Sequence, residues 1–405
     1  MITGSEILLD SFIAEGVDTI FGYPGGQIMP VYDKLVGYTD RLRHILVRHE
    51  QGAIHAAQGY ARVSGRPGVV MVTSGPGATN VITGIADAMA DSTPVIVVAA
   101  QVSTALLGTD AFQETDFIGL TTPITKWCYQ IRRPEDVAWA VARAFHIATT
   151  GRPGPIVLDL TRDAQVGIAE AGHKKCDFIR SYVPRPKPSA EAIVRAAEMI
   201  NAAEKPFVVY GQGVILSGAE KELAEFLNKG CIPAGTTLLG LSALPSNFPH
   251  FKGMVGMHGN IATNVLTQEC DLLISVGMRF DDRVTGKTST YASQAKVIHI
   301  DIDASEIGKN VPVDLGIVGD AKDVLTLLLP LVQKRDRSEW ETTADMYGDL
   351  EKHKVIEPEV FPESGRIKMG EVVNKVAEVS GGKAVIVTDV GQNQMIGARY
   401  SRFAQ

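Results

Sequence analysis

Two glycine-rich segments and one acid stand where predicted strands end within the first eighty residues. The glycine-rich segments run from Phe21 to Gly26 and from Thr73 to Asn80, and Glu50 lies between them. In an open α/β sheet, ligands bind outside the carboxyl ends of the strands, and glycines let the backbone approach them closely. Glu50 also opens a predicted helix, where an acid complements the helix dipole without any ligand. The sequence therefore predicts either a helix-start acid or the acidic group of a ligand site.

The three segments, in this order and with Arg48 and His49 before the acid, resemble the N-terminal domain of the thiamin-diphosphate enzymes. The acetohydroxyacid synthase (acetolactate synthase) family is the most similar. This resemblance implies that Glu50 hydrogen-bonds the pyrimidine ring of thiamin diphosphate and exchanges a proton with it, which activates the cofactor. It also implies that other residues of these segments approach the cofactor or the substrate: Gly25, Gly26, Pro76, Gly77 and Asn80.

Two further segments carry candidate catalytic residues. The segment from Gly108 to Glu114 is similar to one found in acetohydroxyacid synthases, which implies that Phe112 and Gln113 lie near the reacting centre. Without the resemblance, it is a loop with an anchoring aromatic residue. Arg162 stands where many family members have lysine, and an arginine with its bidentate fork is not equivalent to lysine. We include Arg162 among the candidate catalytic residues.

A second set of motifs lies in the middle of the chain. An acid at a strand tip, such as Asp301, can bind a ribose hydroxyl, and Arg279 can pair with a pyrophosphate. Each motif alone also fits a structural turn. Together they resemble the FAD-binding domain of acetohydroxyacid synthases, with no hydride transfer expected of the flavin. The resemblance implies these FAD ligands: Arg152, Gly211, Gly213, Met257, His258, Gly277, Arg279, Asp281, Arg283, Asp301, Ile302, Asp320 and Ala321.

The segment from Thr388 to Met395 resembles the start of a diphosphate-binding domain, where Gly391, Gln392 and Asn393 would touch the cofactor phosphate. In this family the diphosphate is anchored through Mg²⁺ by a Gly-Asp-Gly turn and a later pair of asparagines. The sequence contains neither motif, so we assign no metal ligand in this chain. We expect the chain to be the N-terminal portion of a longer enzyme, and to be inactive alone.

The elements that position these residues alternate between strand and helix. Apolar runs such as Val69–Thr73, Val95–Ala99 and Leu272–Val276 are typical of buried parallel strands. The sequence predicts an α/β fold with successive doubly wound, mostly parallel sheets and an incomplete third domain. A proline-rich stretch at 182–188 marks a boundary. We predict a pyrimidine-binding domain at 1–180, an FAD-binding-like domain at 189–335 that ends in a helix from Ala321 to about Arg335, and a partly helical linker at 336–365. The start of a diphosphate-binding domain follows at 366–405, with a helix at 366–379 and a strand at 384–388.

Composition excludes several classes of function. The net charge of −7 comes without any block of lysine and arginine, which argues against nucleic acid as a partner. The apolar runs are too short for a membrane span, and the first helix carries Asp10 and Glu15, which is unlike a signal peptide. The four cysteines are scattered without metal-binding spacing, which indicates reduced thiols and a cytoplasmic protein.

The resemblance implies an enzyme that decarboxylates pyruvate and joins the two-carbon unit to a second 2-ketoacid. It further implies a homo-oligomer with active sites at the subunit interface, and a small regulatory subunit. Two alternatives stay open. One is another carboligase or decarboxylase that uses thiamin diphosphate, and the other is an inert FAD-binding module that has lost thiamin chemistry.

Overall fold

The computed structural model describes residues 1–363 and 365–404, and the chain divides into two compact units between Pro184 and Arg185. Each unit is built on one six-stranded sheet. Every strand pair within these two sheets is parallel. The predicted α/β class with successive parallel sheets is therefore confirmed. Ser364 and Gln405, which fall in the predicted linker and last domain, lie outside the described residues.

The first unit contains eight strands and eight α-helices among its described residues. The strands are β1 Ile2–Thr3, β2 Thr19–Gly22, β3 Arg43–Leu46, β4 Gly68–Val72, β5 Val95–Gln101, β6 Trp127–Ile131, β7 Ile156–Thr161 and β8 Ile168–Ala169. The helices are α1 Gly4–Ala14, α2 Met29–Leu35, α3 Glu50–Ser64, α4 Pro76–Thr79, α5 Ile82–Ala90, α6 Phe117–Thr121, α7 Val137–Thr149 and α8 Arg162–Val166.

The main sheet of this unit has the order β3-β2-β4-β5-β7-β6, and β1 pairs with β8 in a separate antiparallel ribbon. Strands β4, β5 and β7 are buried along their whole length, because helices cover both faces of the sheet. Helices α1, α2 and α7 contribute to the apolar cluster on one face, and α3 and α5 contribute to the cluster on the other. The unit is thus doubly wound.

The second unit contains six strands and ten α-helices among its described residues. The strands are β9 Pro206–Tyr210, β10 Ala234–Thr236, β11 Phe251–Met254, β12 Leu272–Val276, β13 Lys296–Asp301 and β14 Leu315–Val318. The helices are α9 Ala190–Ala202, α10 Gln212–Ser217, α11 Glu220–Gly230, α12 Ile261–Glu269, α13 Asp282–Thr285, α14 Ala321–Leu328, α15 Ser338–Glu351, α16 Glu357–Val360, α17 Met369–Ser380 and α18 Gln392–Tyr400.

The sheet of the second unit has the order β11-β10-β9-β12-β13-β14. Helices α9, α11 and α14 contribute to the apolar cluster on one face. On the other face, α12 and the α15 residues Trp340 and Ala344 contribute to a second cluster. The interval 336–365, predicted as a linker with some helix, is therefore mostly helical and partly packed against the sheet.

Two predicted elements differ from the structure, and one observed strand was not predicted. The helix expected to run from Ala321 to about Arg335 ends at Leu328, because Pro330 cannot continue the hydrogen-bond pattern. The strand β11 was not predicted, since only Met254 of its four residues is buried and the apolar signal is weak. The strand predicted at 384–388 is wrong: these residues have no assigned strand, and Val385 and Val387 are exposed. A strand needs a hydrogen-bonded neighbour, and none pairs with this segment among the described residues.

In the part of the chain that the structure describes, no helix has both the length and the apolar character needed to cross a membrane. All four cysteines are free thiols, at Cys128, Cys176, Cys231 and Cys270.

Candidate functional site

The strand order of the first unit creates a crevice between β2 and β4. From β2 the chain crosses to β3 on one side, and the next strand, β4, lies on the other side of β2. Loops that leave the carboxyl ends of such a pair diverge, which is where ligands of doubly wound sheets bind. Gly25 follows β2, Glu50 follows β3, and the segment from Thr73 to Asn80 follows β4. The fold therefore brings the predicted pyrimidine-site segments to one sheet edge.

Glu50 is the first residue of α3 and is only 8% exposed. His49 caps the helix, because its Nδ1 accepts a hydrogen bond from the amide of Gln51 at 3.1 Å. Asn80 Nδ2 donates to Oε2 of Glu50 at 2.9 Å. The turn after β4 thus fixes the orientation of a carboxylate that follows a different strand.

Two glycines pack closely against Thr73 beside this carboxylate. A Cβ atom added at Gly77 would stand 2.7 Å from Thr73 Cγ2 and 3.4 Å from Oε1 of Glu50. At Gly25 it would stand 2.6 Å from Thr73 Cβ, and Thr73 Oγ1 accepts a hydrogen bond from the amide of Gln27 at 3.3 Å. Any side chain at either position would collide with Thr73. These glycines therefore form a close-packed cradle with Thr73 beside Glu50.

The other candidate catalytic residues flank the two glycine segments. A Cβ atom at Gly75 would stand 2.8 Å from the carbonyl oxygen of Gln113, so the backbone of Gln113 packs directly on this turn. Phe112 is 84% exposed beside it. Arg162, the first residue of α8, donates from Nη1 to the carbonyl oxygen of Gly26 at 3.3 Å. Gln113 thus packs on the turn after β4, with Phe112 next to it in the chain, and Arg162 contacts the turn after β2.

Sequence reasoning did not select two residues that the structure places here. Thr73 fills the space between the glycines, and its position at the head of the second segment was a signal for it. Tyr32 had no such signal: its hydroxyl lies 3.0 Å from His44 Nε2 and donates to the carbonyl oxygen of Met71 at 3.3 Å. Burial, and then the charge of Glu50, raise the pKa of Tyr32, so the phenol stays protonated.

The second unit has a comparable crevice between β9 and β12. The chain proceeds from β9 to β10 and β11 on one side, and from β12 to β13 and β14 on the other. Gly211 and Gly213 follow β9, and Gly277 follows β12. The amide of Gly213 donates to the carbonyl oxygen of Gly277 at 2.9 Å, and a Cβ atom at Gly213 would stand 2.6 Å from Gly277 Cα. The predicted FAD glycines thus meet at the switch point of this sheet.

Most acidic candidates of the second unit make local bonds. Asp281 Oδ1 caps α13 by accepting from the amides of Arg283 and Val284, and Asp320 Oδ1 caps α14. Asp301, the last residue of β13, accepts from the amide of Asp303 at 2.8 Å. The structure therefore gives each carboxylate a structural contact, and their flavin roles stay predictions.

Of the remaining flavin candidates, Met257 and Arg283 are brought together, since the amide of Met257 donates to the carbonyl oxygen of Arg283 at 2.9 Å. His258 Nδ1 is buried, and it has no hydrogen-bond partner among the described residues. Burial, and then the charges of Arg399 and Arg283, lower the pKa of His258, so the ring is neutral and able to meet a polar ligand. Ile302 follows β13, and Ala321 is buried at the start of α14.

The last group of candidates lies at the start of α18. Gly391 adopts a φ of 133° before the helix, and Gln392 and Asn393 form its first exposed turn. Asn393 Oδ1 accepts from the amide of Gln394 at 2.9 Å.

The flavin candidate Arg152 belongs to the first unit, where its Nε donates to Ser92 Oγ at 2.8 Å.

A cluster of three metal-binding residue types was missed by the sequence analysis, because its members are far apart in the chain. One ligand atom each of Cys231, His250 and Glu341 lies within 4.8 Å of the others. However, Glu341 already contacts His250 Nδ1 at 2.6 Å and Lys252 Nζ at 2.9 Å. The carboxylate charge is therefore balanced within the cluster, and we assign no metal to it.

Two models of known protein families match this chain. The model described as "Thiamine pyrophosphate enzyme, N-terminal TPP binding domain" matches residues 2–120, which include Glu50 and its cradle. The model described as "Thiamine pyrophosphate enzyme, central domain" matches residues 193–328, which include the glycines between β9 and β12.

Individual relatives are similar over nearly the whole chain. A "Probable acetolactate synthase large subunit" of Methanocaldococcus jannaschii is 46% identical over 405 residues, covering 97% of this chain and 67% of that protein. The "Acetolactate synthase" of Mycobacterium bovis is 44% identical over 404 residues, which cover 99% of this chain and 65% of that protein. The "Acetolactate synthase large subunit" of Haemophilus influenzae is 40% identical over 405 residues, which cover 99% of this chain and 70% of that protein. The chain thus spans about two thirds of the length of the relatives it matches.

Proposed function

This chain belongs to the acetolactate synthase large subunits of the thiamine pyrophosphate enzyme family, and we propose that it carries out their carboligation chemistry. In this proposal the protein decarboxylates pyruvate and joins the two-carbon unit to a second 2-ketoacid. The products are acetolactate or acetohydroxybutyrate, which lead to branched-chain amino acids. The observation that carries the proposal is the buried Glu50 carboxylate, held by Asn80 at the switch point of the first sheet.

Thiamin diphosphate, when bound, supplies the carbanion that attacks the carbonyl group of a 2-ketoacid. Glu50 would hold and exchange a proton with the pyrimidine ring of this cofactor. Its burial excludes water, and the hydrogen bond from Asn80 keeps one carboxylate oxygen in place. A single, oriented proton-transfer group is what general acid–base catalysis requires.

Gly25, Gly26 and Gly77, together with Pro76, would shape the space beside Glu50 so that the pyrimidine ring fits against backbone atoms. Phe112 and Gln113 would border the reacting centre from the neighbouring loop. Arg162 carries a positive charge next to Gly26, and its fork can pair with the carboxylate of a 2-ketoacid.

The second unit would hold FAD across the crevice between β9 and β12. Gly211, Gly213 and Gly277 allow the dinucleotide to approach the backbone, and the buried Nδ1 of His258 offers it a polar contact. Arg279 and Arg283 are exposed cations near this edge that can pair with a pyrophosphate. We give the flavin a structural role, since carboligation involves no net oxidation or reduction.

Few residues of this chain are candidates to bind the diphosphate end of thiamin diphosphate, and none is assigned to Mg²⁺. Gly391, Gln392 and Asn393 can offer amide groups to a phosphate at the start of α18. The sequence has no Gly-Asp-Gly turn and no pair of adjacent asparagines, so the residues present do not fit a divalent ion of this family. We therefore derive no step that depends on Mg²⁺ from this chain.

The proposal includes an oligomer with active sites at the subunit interface. Phe112, Met29 and Leu46 are large apolar side chains of the first unit that are exposed, and a partner subunit would bury such side chains. The free thiols fit a reducing compartment such as the cytoplasm. A small regulatory subunit stays a prediction from the family resemblance.

The test is a product assay of the full-length protein with pyruvate, thiamin diphosphate and Mg²⁺, with and without 2-ketobutyrate. Acetolactate and acetohydroxybutyrate are the expected products. Acetaldehyde as the only product would identify a decarboxylase instead. Retained flavin without any turnover of pyruvate would favour the inert FAD-binding module.

A further inference from the structure

Asp159 is a buried acid that the proposed chemistry does not use. It lies in β7, is 0% exposed, and accepts hydrogen bonds through Oδ2 from Gln130 Nε2 at 2.8 Å and Gln101 Nε2 at 3.4 Å. Its Oδ1 has no hydrogen-bond partner among the described residues. Burying a carboxyl group destabilises a fold unless it is compensated. The placement of Asp159 therefore calls for an explanation beyond packing.

Gln101 connects Asp159 to the loop that carries Phe112 and Gln113. The side chain of Gln101 is 2% exposed, and its Oε1 accepts from the amide of Val102 at 2.9 Å. Because Oε1 accepts from Val102, Nε2 and its two hydrogens lie on the opposite side of the Gln101 side-chain amide. Nε2 donates to the carbonyl oxygen of Thr115 at 2.9 Å as well as to Asp159. The two acceptors therefore share one oriented NH₂ group.

The segment 108–116, which we name the catalytic-loop segment, behaves as one closed piece. The carboxylate of Glu114 accepts from the amides of Gly108 and Ala111, and these backbone bonds, with that of Gly108 first, lower the pKa of Glu114. Beyond the segment, Phe117 is buried in the apolar core. Within it, the backbone of Gln113 packs on Gly75. Thr115 lies in the chain between these two anchored residues, so a contact at Thr115 acts on the part of the segment that faces the crevice.

We propose that Asp159 is a positioning residue that, through the Gln101 amide, holds Thr115 and so keeps Phe112 and Gln113 in register with the turn at Gly75. This proposal rests on the proposed function, because the segment it holds carries two of the candidate catalytic residues. Asp159 touches neither cofactor nor substrate. Its effect reaches the site through one buried hydrogen-bonded bridge, Asp159–Gln101–Thr115.

Replacement of Asp159 has a defined consequence for the bridge. In Asp159→Ala, one hydrogen of Gln101 Nε2 loses its acceptor and the smaller side chain opens space beside the amide, so the amide can turn and its bond to Thr115 weakens. In Asp159→Asn, the amide oxygen can accept from Gln101 and Gln130, so the bridge persists. Gln101→Ala removes the bridge from the other side and should match Asp159→Ala.

Gln58 provides a matched control for Gln101. It is also a buried glutamine of the first unit, 4% exposed, whose Nε2 donates to the carbonyl oxygen of Gly84 at 3.1 Å and to Asp87 Oδ2 at 2.9 Å. It contacts no residue of the catalytic-loop segment in these bonds. Gln58→Ala therefore removes a comparable bridge elsewhere.

The experiment combines amide hydrogen exchange with kinetics on the full-length protein. In Asp159→Ala and Gln101→Ala we expect faster exchange confined to residues 108–116. We also expect kcat to fall about ten- to a hundredfold, because a displacement of about 1 Å costs up to this much. The dissociation constant of thiamin diphosphate should stay within about twofold, since the Glu50 cradle is untouched. Asp159→Asn should restore both readouts, and Gln58→Ala should change neither.

Three outcomes would overturn the proposal: wild-type exchange at 108–116 in Asp159→Ala, faster exchange spread over the whole first unit, or an Asp159→Asn variant as impaired as Asp159→Ala. A wild-type protein without carboligase activity would count against the proposed function alone, because the exchange readout still decides whether Asp159 holds the segment.

Discussion

Asn80 and Glu50 are thirty residues apart, follow different strands, and meet through a hydrogen bond of 2.9 Å from Nδ2 to Oε2. The bond joins the start of α3 to the turn after β4, so two of the three segments singled out in the sequence are parts of one site. An acid that served only the helix dipole would face solvent at the first turn. Glu50 is instead buried and oriented by an amide from another loop.

The first prediction concerns Glu50→Gln in the full-length protein. Glutamine keeps the size of the side chain and can still accept from Asn80, but it cannot exchange a proton with the pyrimidine ring. We expect kcat to fall by about 10²-fold at saturating thiamin diphosphate, which is the lower end of the usual range for acid–base catalysis. Deuterium exchange of the thiazolium proton should slow in parallel.

Glu6→Gln is the matched control for this change. Glu6 is also a first-turn acid, and in a capping box it accepts from Thr3 Oγ1 at 2.7 Å and from the amide of Thr3 at 2.8 Å. These two bonds, that of Oγ1 first, lower the pKa of Glu6. Its loss should affect stability only slightly and leave kcat unchanged. Equal kcat and equal proton exchange in Glu50→Gln and the wild-type protein would reduce Glu50 to a helix-start acid.

The second prediction tests the glycine cradle by rescue. Gly77→Ala places a methyl group 2.7 Å from Thr73 Cγ2, so we expect the free energy of unfolding to fall by about 1–3 kcal/mol. Thr73→Ser removes that methyl group and keeps Oγ1 for Gln27, so the double variant should regain most of the loss. Gly25→Ala meets Thr73 Cβ, which serine retains, and should not be rescued.

Urea unfolding of the single and double variants measures this coupling. Strictly additive losses for Gly77→Ala with Thr73→Ser would mean that Thr73 is not what excludes a side chain at this position. If Thr73→Ser also restored the stability of Gly25→Ala, contact with Thr73 Cβ would not be the cause of the loss at Gly25.

The sequence predicted the strands and the motif positions well, for local reasons. Runs of valine and isoleucine are buried on both faces of the parallel sheets, so the predicted strand 272–276 matches β12 to the residue, and β4 and β5 are matched within two residues. Glycine-rich turns at strand ends carry their own backbone signal. The early end of α14 was missed, although Pro330, which follows it, was a signal for it.

The contacts that define the site could not be predicted, because they join residues far apart in the chain. Nothing near Glu50 indicates Asn80 as its partner, and nothing near Asp159 indicates Gln101 and Gln130. The cluster of Cys231, His250 and Glu341 likewise forms only through tertiary packing. Residue types and local spacing predict which residues are available for chemistry, and packing decides which of them meet.

The third prediction concerns flavin retention by the second unit. Arg279 follows the β12 glycine turn, is exposed, and lies 3.6 Å from Asp281 Oδ2 through Nε. A charge-assisted contact to phosphate contributes about 1.5–3 kcal/mol, so Arg279→Ala should weaken FAD binding about ten- to a hundredfold. Lys221→Ala removes the same charge from an exposed pair on α11 and should have no effect. Equal flavin absorbance after gel filtration of both variants would remove Arg279 from the site.

The fourth prediction concerns the pH dependence of stability at Asp159. Burial raises the pKa of its carboxyl group to about 7, against an ordinary value of 3.8, while hydrogen bonds from Gln130 and Gln101 oppose this rise. The charged groups that act on it are Asp116, which raises the pKa, and Arg132, which lowers it. The folded state therefore keeps a proton that the unfolded state loses between about pH 4 and pH 7. By linkage, this group makes the protein less stable as the pH rises through that window.

Asp159→Asn removes this titration and keeps the acceptor for Gln101. The free energy of unfolding of the variant minus that of the wild-type protein should rise as the pH goes from 4 to 8. The rise should be at most roughly 4 kcal/mol for a pKa shift of this size. Asp136→Asn, which alters an exposed pair with Arg133, should show no such rise. Hydrogen exchange of the β7 amides at both pH values reports the first unit alone. If the difference in the free energy of unfolding between Asp159→Asn and the wild-type protein stayed constant from pH 4 to pH 8, the buried carboxyl group would not titrate in this range.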